Sequence, residues 1–392
     1  MVRMDRRSFT SDMPGDLIEI PGGEVAFLPA PLPRDFQLPV RLWPLVVRAR
    51  ERLALLEGVT QQLVEPALLL RPLQQREALR SSSLEGTYAT PKELLLFELD
   101  PREKTNDSVV GTWIEVHNYA RALQLGASSF PDNGISLHLI RQLHLELMHG
   151  VRGRDKDPGS FRTSQVFIGA DHRFVPPPPS HLQGCLDELQ GYMQADFGPD
   201  DLDPLVRCFL VHYQFEAIHP FLDGNGRVGR LLLALMIKEW CGLTRPWLYL
   251  SAFFDHHKDE YIDGLFAISA RRSWEEWLRF CLRATEVQAA DTIERCRKLL
   301  ALRQSYHDRL KQAGGNVRLV ALVDGLFSNA FIRITDARDR LEVSYPTAQS
   351  DIDRLVRTNV LREVKASGPR TFYAWEIFDI AFAEPGTTPA AQ

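Results

Sequence analysis

The sequence contains few cysteines, and they do not form a recognisable set. Five occur among the 392 residues. They are scattered along the chain, with no pair at C-x-x-C spacing: Cys185, Cys208, Cys241, Cys281 and Cys296. Such an odd, unclustered set argues against a disulfide framework or a zinc site, and it is typical of proteins from a reducing compartment.

Long apolar runs and a strong net charge are also missing. The longest apolar stretch, residues 231–237, is far shorter than the ~18–20 residues that span a bilayer. The basic start of the chain is not followed by an apolar core, so no secretory signal is expected. The formal net charge of −5 gives no electrostatic reason to expect nucleic-acid binding. We therefore expect a cytoplasmic protein that does not associate with membranes.

The spacing of apolar residues predicts a mostly helical chain with one small β-hairpin. Apolar residues recur at helical spacing in these blocks: 42–99, 113–149, 182–193, 204–218, 228–241 and onward to about 311. Short β-prone runs with turn chemistry at residues 164–175 predict a hairpin, which ends at the four prolines of 176–179. The first forty residues are rich in Pro, Asp and Gly and are expected to be irregular.

One segment, residues 219–230, joins two strongly apolar helices and reads HPFLDGNGRVGR. Its glycines let backbone N–H groups approach an anion where the second helix begins, and the helix dipole adds positive charge there. Arg227 and Arg230 are three residues apart and therefore share one face of the first turns. Asp223 is suited to a Mg²⁺ ion that bridges phosphates. His219 is suited to a general base.

This set of side chains is the equipment of phosphoryl or nucleotidyl transfer. Each feature alone has an ordinary structural interpretation, because a His before Pro is usually a packed residue and Gly-rich loops are common. The joint pattern of one imidazole, one carboxylate, two guanidinium groups and an anion-binding helix start favours the functional interpretation.

The segment resembles the signature of the Fic family, H-x-F-x-[DE]-G-N-G-R-x-x-R, at every specified position. Residues 115–119, 158–162, 165–169 and 249–251 resemble flanking segments of the same family. The resemblance implies a mostly α Fic fold, which is a helical bundle with a β-hairpin flap. It also implies a protein adenylyltransferase, which transfers AMP from Mg-ATP to a Ser, Thr or Tyr hydroxyl of a target protein and of itself.

The resemblance also implies a role for each residue of the segment. His219 would deprotonate the target hydroxyl, Asp223 would hold Mg²⁺, and Phe221 would be buried under the loop. The implied ATP-binding residues contact the phosphates or the adenine: Asp223, Gly224, Asn225, Gly226, Arg227, Gly229, Arg230 and Tyr261. Arg227 would bind the β-phosphate and Arg230 the γ-phosphate. For Tyr261, a place in the core is the alternative to stacking on adenine.

The predicted hairpin corresponds to the flap of the family, which clamps the target. An extended target segment would pair with its exposed edge by β-augmentation, so specificity would be loose. The residues expected to form this edge are Gln165, Val166, Phe167, Ile168 and Gly169. A hairpin with a purely structural role is the alternative.

A second segment, Ser81-Ser82-Ser83-Leu84-Glu85-Gly86, resembles the inhibitory motif [ST]-x-x-x-E-[GN] of the family. The resemblance implies that Glu85 pairs with Arg230 and keeps it from the γ-phosphate, with Ser81 as the first motif residue. ATP would then bind in a non-productive pose. The alternative is a serine-rich helix start with a surface glutamate.

The C-terminal part resembles a winged helix-turn-helix, with Ser344 to Ala348 before the predicted recognition helix and β-prone runs at 361–364 and 371–375. Nine Lys/Arg and nine Asp/Glu occur between Asn316 and Ile380, so this module is neutral. Asp351 and Asp353 lie on the recognition helix itself. DNA-reading domains normally have a basic face, so we expect docking or dimerisation rather than DNA binding.

These observations predict three domains: an N-terminal helical region with the inhibitory motif (1–105), a Fic core (106–312) and a winged-helix-like domain (313–385). Two alternatives to AMP transfer remain. Glu85 could orient a water that removes AMP from modified targets, or the core could sense nucleotide for a DNA-binding regulator. A phosphotransferase variant is disfavoured, because Gly224 and Gly226 leave room for the α-phosphate. The target protein, its acceptor residue and the presence of a homodimer stay open.

Overall fold

A computed structural model of the chain describes residues 4–61, 66–99, 108–128, 134–150, 156–169, 172–198, 201–364 and 369–383. The described helices are α1 Trp43–Gln61, α2 Pro66–Leu84, α3 Pro91–Leu99, α4 Ser108–Ser128, α5 Leu137–Leu147, α6 Pro179–Gln194, α7 Pro204–Ile218, α8 Asn225–Trp240, α9 Ser251–His256, α10 Lys258–Arg271, α11 Trp274–Gln312, α12 Val317–Ser328, α13 Ile334–Leu341, α14 Tyr345–Arg357 and α15 Trp375–Phe382. The described strands are β1 Gly15–Ile20, β2 Glu24–Pro29, β3 Phe331–Arg333, β4 Arg362–Glu363 and β5 Thr371–Tyr373. The mostly helical fold predicted from the sequence is confirmed.

The N-terminal segment forms a β-hairpin, so the expectation of an irregular start is wrong here. β1 and β2 pair antiparallel, from Gly15 opposite Pro29 to Ile20 opposite Glu24. The connection contains Gly22 and Gly23 at positive φ, 92° and 71°, which only glycine adopts without strain. A glycine turn between two short β-prone runs is the sequence signal of a hairpin. It was missed because the composition of the whole segment was judged instead.

Helix α7 lies at the centre of the core. Asp203 caps its start by accepting from the backbone N–H groups of Leu205 and Val206, and Pro204 occupies the first turn, where its missing N–H has no cost. Nearly all of its side chains are buried, and it packs against α6, α8, α10 and α11. An apolar helix surrounded on all sides is a core helix, and its bounds agree with the predicted 204–218.

Helix α8 crosses α7 at close range because Gly229 has no side chain. A Cβ atom at this position would collide with the carboxylate of Glu216 and approach the Phe215 ring to 3.1 Å. Gly229 lies where α8 packs against α7, and its role in ATP binding stays a prediction. The close crossing fixes the start of α8 relative to the end of α7.

Helix α2 is enclosed between the core and the C-terminal part of the chain. One side packs against α4, α8 and α9, and the other against α12 and α15. The long α11 contacts both groups, since it packs along α1, α9 and α10 and also against α12 and α15. The predicted division into three domains stays a prediction. In the described chain, its first part touches both of the others through α2.

The C-terminal segment runs α12, β3, α13, α14, β4, β5 and α15, with an antiparallel sheet of order β3-β5-β4. The predicted β-prone pair is present as β4 and β5. The winged-helix assignment stays a prediction, which this arrangement supports. Asp351 is buried and accepts two hydrogen bonds from the Arg318 guanidinium, at 2.7 and 3.2 Å. The sequence suggested that Asp351 is a surface charge of the predicted recognition helix. Its carboxylate is instead buried and stabilises this part of the chain.

None of the described helices is both long enough and apolar enough to cross a membrane.

The central position of α7 leads to a stability prediction. Leu210→Ala should lower the free energy of unfolding by about 2–5 kcal/mol, because Leu210 is fully buried and its removal leaves a cavity. Leu55→Ala on α1, where the side chain is 41% exposed, should change stability far less. Urea denaturation followed by circular dichroism measures both variants. Equal loss in the two would contradict the placement of α7 at the centre of the core.

Candidate active site

Helix α7 ends at His219, whose backbone is in the left-handed region at φ 51°. Pro220 follows and cannot continue the helix, because it has no N–H to donate. A left-handed conformation is uncommon outside glycine and persists where surrounding contacts impose it. The end of the central helix thus places the imidazole at a fixed point at the edge of the core.

The loop after His219 is closed by the side chain of Asn225. Its Oδ1 accepts from the N–H of Phe221 at 2.8 Å, and its Nδ2 donates to the Phe221 carbonyl at 2.9 Å. Both residues are buried, so Phe221 lies under the loop as expected. Because Oδ1 and Nδ2 are both engaged in the loop and the side chain is buried, the predicted phosphate contact of Asn225 would come from its backbone N–H.

His144 of α5 holds the same loop from below. Its ring stacks on Phe221 with a centroid distance of 3.8 Å. Nδ1 accepts from the N–H of Gly159 at 2.8 Å, and Nε2 donates to the carbonyl of Asp223 at 3.1 Å. Burial lowers the pKa of His144 to about 4, so the ring is neutral and can accept and donate at once. His144 is therefore a positioning residue for Asp223.

The start of α8 is open to an anion. Gly224 precedes the helix at φ 78° and provides no side-chain cap, so the amides of the first turn are not taken by it. A Cβ atom at Gly224 would approach Met148 Sδ to 3.1 Å, and one at Gly226 would collide with the carboxylate of Glu85. Gly224 therefore allows close packing against Met148, whereas Gly226 allows a negative group to reach the helix start, where the dipole favours negative charge.

In the structure, the carboxylate near this helix start is Glu85. Arg230 is buried and donates from Nε to Ser81 Oγ at 2.8 Å, and from Nη2 to the Ser81 carbonyl at 2.9 Å and to Glu85 Oε1 at 2.7 Å. Burial alone would raise the pKa of Glu85, but the charge of Arg230 outweighs it and lowers that pKa. The predicted partners are thus brought together as an ion pair.

The segment that carries Glu85 is the end of α2, not the start of a helix. α2 ends at Leu84 and Glu85 lies in the turn that follows, so the alternative of a serine-rich helix start is wrong. Asp255 of α9 accepts from Arg80 Nη1 and from Ser83 Oγ, both at 3.0 Å. Lys258 of α10 donates to the Leu84 carbonyl at 2.6 Å. These contacts hold the last turn of α2 over the pocket.

Arg227 also has a carboxylate partner, Glu115 of α4. Its Nη1 donates to Glu115 Oε2 at 3.1 Å, while its Nη2 lies 3.7 Å from Asp223 Oδ1. The same Glu115 oxygen accepts from Thr87 Oγ1 at 3.0 Å, two residues after Glu85. Glu115 therefore links Arg227 to the segment that carries Glu85, the partner of Arg230.

His219 is half-buried, and burial lowers its pKa to about 4. Its Nδ1 lies 3.3 Å from the Glu216 carbonyl, and the tautomer that donates there leaves Nε2 with a free lone pair. The backbone carbonyl of His219 accepts from Arg162 Nε at 2.8 Å. Arg162 also donates to the carbonyl of Ser164, where the predicted flap begins, and to that of Pro177, in the proline run after the flap.

The predicted flap is present as one antiparallel bridge between Ile168 and Phe174. Gly169 turns at φ 83°, and residues 170–171 lie outside the described part of the chain. Gln165 donates to the carbonyls of Val166 and Pro176, at 3.0 and 2.9 Å. Phe167 is 40% exposed, with its ring on His172 at 4.3 Å. The N-terminal hairpin supports the flap, since the N–H of Phe27 donates to the Val175 carbonyl at 2.8 Å.

These elements enclose a pocket of about 430 Å³. Its lining includes His219, Gly226 and Arg230 at one side and the flap residues Ile168 and Gly169 at another. Tyr261 also lines the pocket, but it is 4% exposed and its hydroxyl lies 2.9 Å from His212 Nε2. Tyr261 is thus a core residue that also lines the pocket, and stacking on adenine stays a prediction.

Comparisons with known proteins agree with this geometry. Residues 43–128 match the Fic/DOC family N-terminal domain, and residues 134–237 match the Fic/DOC family domain. The chain contains the Fic/DOC family domains. A Fic family protein from Desulfovibrio desulfuricans G20 superimposes with a TM-score of 0.57 and 19% identity, over 88% of this chain and 98% of that one. This likeness shows the fold.

Two curated proteins resemble part of this Fic/DOC chain. Protein adenylyltransferase Fic of Drosophila willistoni is 31% identical over 142 residues, which are 34% of this chain and 27% of that protein. Protein adenylyltransferase fic-1 of Caenorhabditis elegans is 32% identical over 120 residues, 30% of this chain and 22% of that protein. The chain therefore spans about a quarter of the length of these relatives.

The Fic/DOC site offers one carboxylate to a metal ion. Asp223 has 48% of its side chain exposed, and its Oδ1 accepts from the N–H of Gly224 at 2.6 Å. Among the described residues, no group of three or more His, Cys, Asp or Glu side chains could hold a metal. A single exposed carboxylate beside an anion site fits Mg²⁺, which commonly binds through one or two carboxylates and substrate phosphates.

Several residues of the Fic/DOC site were not predicted as functional. Glu115 and Arg162 lie in segments 115–119 and 158–162, which resemble the family, but that resemblance did not indicate their partners Arg227 and His219. His144 and Lys258 reach the site through residues far away in the chain, and a single sequence contains no signal for such pairs. Glu216 lines the pocket as well, and burial raises its pKa to about 8. Its place one helical turn before His219 is the only sequence signal that could have drawn attention to it.

The low pKa of His219 leads to a direct prediction. In the protein without nucleotide, the imidazole should be neutral at pH 6 and should gain a proton only as the pH falls to about 4, because burial disfavours the charged form. NMR of protein labelled at histidine measures this, and His219→Ala assigns the resonance. Titration near the ordinary value of about 6.5 would contradict the buried position of the ring.

Proposed function

We propose that this protein transfers AMP from Mg-ATP to a hydroxyl side chain of a protein. The observation that carries the proposal is one pocket that combines His219, the open start of α8 and Arg230. A phosphate chain placed on the helix start would lie between a neutral imidazole and a buried guanidinium. The flap residues Ile168 and Gly169 line the same pocket, so a bound target segment would reach the imidazole.

The phosphates would be bound mainly by backbone and guanidinium groups. Gly226 leaves space beside the first turn of α8, whose amides and dipole attract anions. Arg230 would bind the terminal phosphate with its planar donors, and Arg227 the middle one. Asp223 would hold Mg²⁺, which neutralises charge on the phosphates when it is bound. His144 fixes the backbone of Asp223 and so orients this carboxylate.

The chemical step needs one proton acceptor. The hydroxyl oxygen of the target attacks the α-phosphorus, its proton passes to Nε2 of His219, and the bond to the leaving pyrophosphate breaks. Because burial keeps His219 uncharged at neutral pH, the lone pair is available when the target arrives. Arg162 joins the backbone of His219 to Ser164 and Pro177, which lie on either side of the flap. The position of His219 relative to a target segment bound at the flap would thus be fixed.

The observed arrangement supports an inhibited state. Arg230 is paired with Glu85, and Arg227 with Glu115. The carboxylate of Glu85 lies over Gly226, where the phosphates would bind. Binding of ATP would break the ion pair between Glu85 and Arg230. Until the carboxylate moved away, it would also repel the phosphates.

His219→Ala should remove AMP transfer while ATP binding and the fold stay nearly intact. Loss of a general base typically lowers the rate by ~10²–10⁴. His138→Ala on the exposed side of α5 is the matched control and should keep full activity. Transfer is measured with ATP labelled at the α-phosphate, and label at the γ-phosphate should not reach protein. Full transfer by His219→Ala would exclude this residue as the base.

Glu85→Gly should raise AMP transfer by roughly thirtyfold, if about half of a ~4 kcal/mol charge interaction acts against productive ATP binding. The residue lies outside α2, so the substitution does not weaken the helix itself. Glu342→Gly is the control, since Glu342 is exposed and already at φ 53°. Arg230→Ala added to Glu85→Gly should reverse the gain. Unchanged transfer in Glu85→Gly with Mg-ATP in excess would contradict the inhibitory role.

Removal of AMP from modified proteins is a second candidate, favoured by one observation. The carboxylate of Glu85 is 39% exposed and lines the same pocket as His219. It could orient a water at the phosphorus. The same variant separates the two functions, because Glu85→Gly should raise transfer but destroy AMP removal if Glu85 positions the water.

A further inference from the structure

A second large cavity lies beside α2, away from the pocket that contains His219. Its volume is about 580 Å³, and it shares no described lining residue with that pocket. Its walls come from α2, α4, the end of α8 with the loop that follows, and the end of α12. Cavities of this size can enclose most of a small ligand.

The lining of this cavity is basic. It contains the cationic or titratable side chains of Arg71, His117, Arg121, Lys238 and Arg245. None of its described lining residues is acidic. Three glutamines of α2 and α4, Gln74, Gln75 and Gln124, add amide donors to the same walls. A concave surface with converging cations and amide donors is the usual recognition surface for phosphate groups.

Two of these cations have carboxylate partners outside the lining. Arg121 lies 2.9 Å from Glu146, and Lys238 lies 3.1 Å from Glu239. Arg121 is 53% exposed and Glu239 is 42% exposed at the side chain, so both pairs border on water. Exposed ion pairs contribute little to stability, and a ligand with several negative charges can compete with them.

We propose that this cavity binds a phosphorylated small molecule with at least two phosphate groups, and that its binding stabilises α2 in the position seen here. Two exposed arginines, Arg121 and Arg245, stand on different walls. Each guanidinium can bind a phosphate through two parallel hydrogen bonds. A molecule with a single phosphate would leave one of these walls without a partner.

The coupling to the active site follows from α2 and rests on the proposed function. Gln74 and Gln75 form part of the cavity wall, and about two helical turns later the same helix presents Ser81 to Arg230. A ligand that uses this wall favours the state in which the wall is in place. Occupancy should therefore strengthen the Glu85–Arg230 contact and lower AMP transfer, with the reciprocal effect on ligand affinity.

The binding half is tested with inorganic tripolyphosphate and the full chain, by isothermal titration calorimetry. Arg121→Ser with Arg245→Ser should weaken binding by about tenfold or more, while Arg297→Ser, an exposed arginine elsewhere on α11, should not. Arg121→Lys with Arg245→Lys keeps the charge and should retain part of the affinity. Arg230→Ala removes only the coupled contact and no lining residue of the cavity, so it should weaken binding far less than the double serine variant. Loss of binding only in Arg230→Ala, or equal binding by all variants, would overturn the proposal.

The coupling half is tested by AMP transfer with Mg²⁺ in excess over all phosphates. Tripolyphosphate should inhibit the wild-type chain but not the Arg121→Ser, Arg245→Ser variant. In Glu85→Gly the inhibition should be lost, because the contact that the ligand stabilises is absent. Inhibition that persists in Glu85→Gly would mean competition with ATP and would overturn the coupling. Absence of transfer in every variant would instead count against the proposed function, and the calorimetry would still test the site.

Discussion

The arrangement of the site depends on one buried guanidinium, that of Arg230. A buried charge without partners is strongly unfavourable, so the donors of Arg230 must be satisfied in any folded state. In the observed state Ser81 and Glu85 satisfy them. A phosphate is the natural replacement for the carboxylate. In the proposed function the carboxylate and a phosphate would exclude each other at Arg230, and the last turn of α2 provides the carboxylate.

Burial acts in opposite directions on the pKa values of His219 and Glu85. It lowers the pKa of His219 and keeps the imidazole uncharged, whereas the pKa of Glu85 is lowered because the charge of Arg230 outweighs burial. A neutral base and an ionised carboxylate thus coexist in one apolar setting. A neutral imidazole can accept a proton, as proposed for His219, and an ionised carboxylate can pair with Arg230, as observed for Glu85.

The sequence predicted helix bounds, which depend on neighbouring residues, and missed contacts between residues that are distant in the chain. The bounds of α7 followed from Asp203-Pro204 at its start and Pro220 at its end, because these signals act within one turn. The N-terminal hairpin was missed because its Pro-Gly-Gly turn enriches the segment in residues typical of irregular chain. The contacts of Glu115 with Arg227 and of Arg162 with His219 join distant parts of the chain. No periodicity or spacing could have indicated them.

The packing of α2 has a physical consequence for how the site can open. The middle turns of α2 are held by buried side chains such as Leu73, Ala78 and Leu79, while its last turn is held by Asp255, Lys258 and Arg230 through polar contacts. Dissolved salt weakens contacts of the second kind where they meet water, and cooling weakens the first. Ionic strength should therefore act more on the last turn of α2 than on its middle turns, and temperature more on the middle turns.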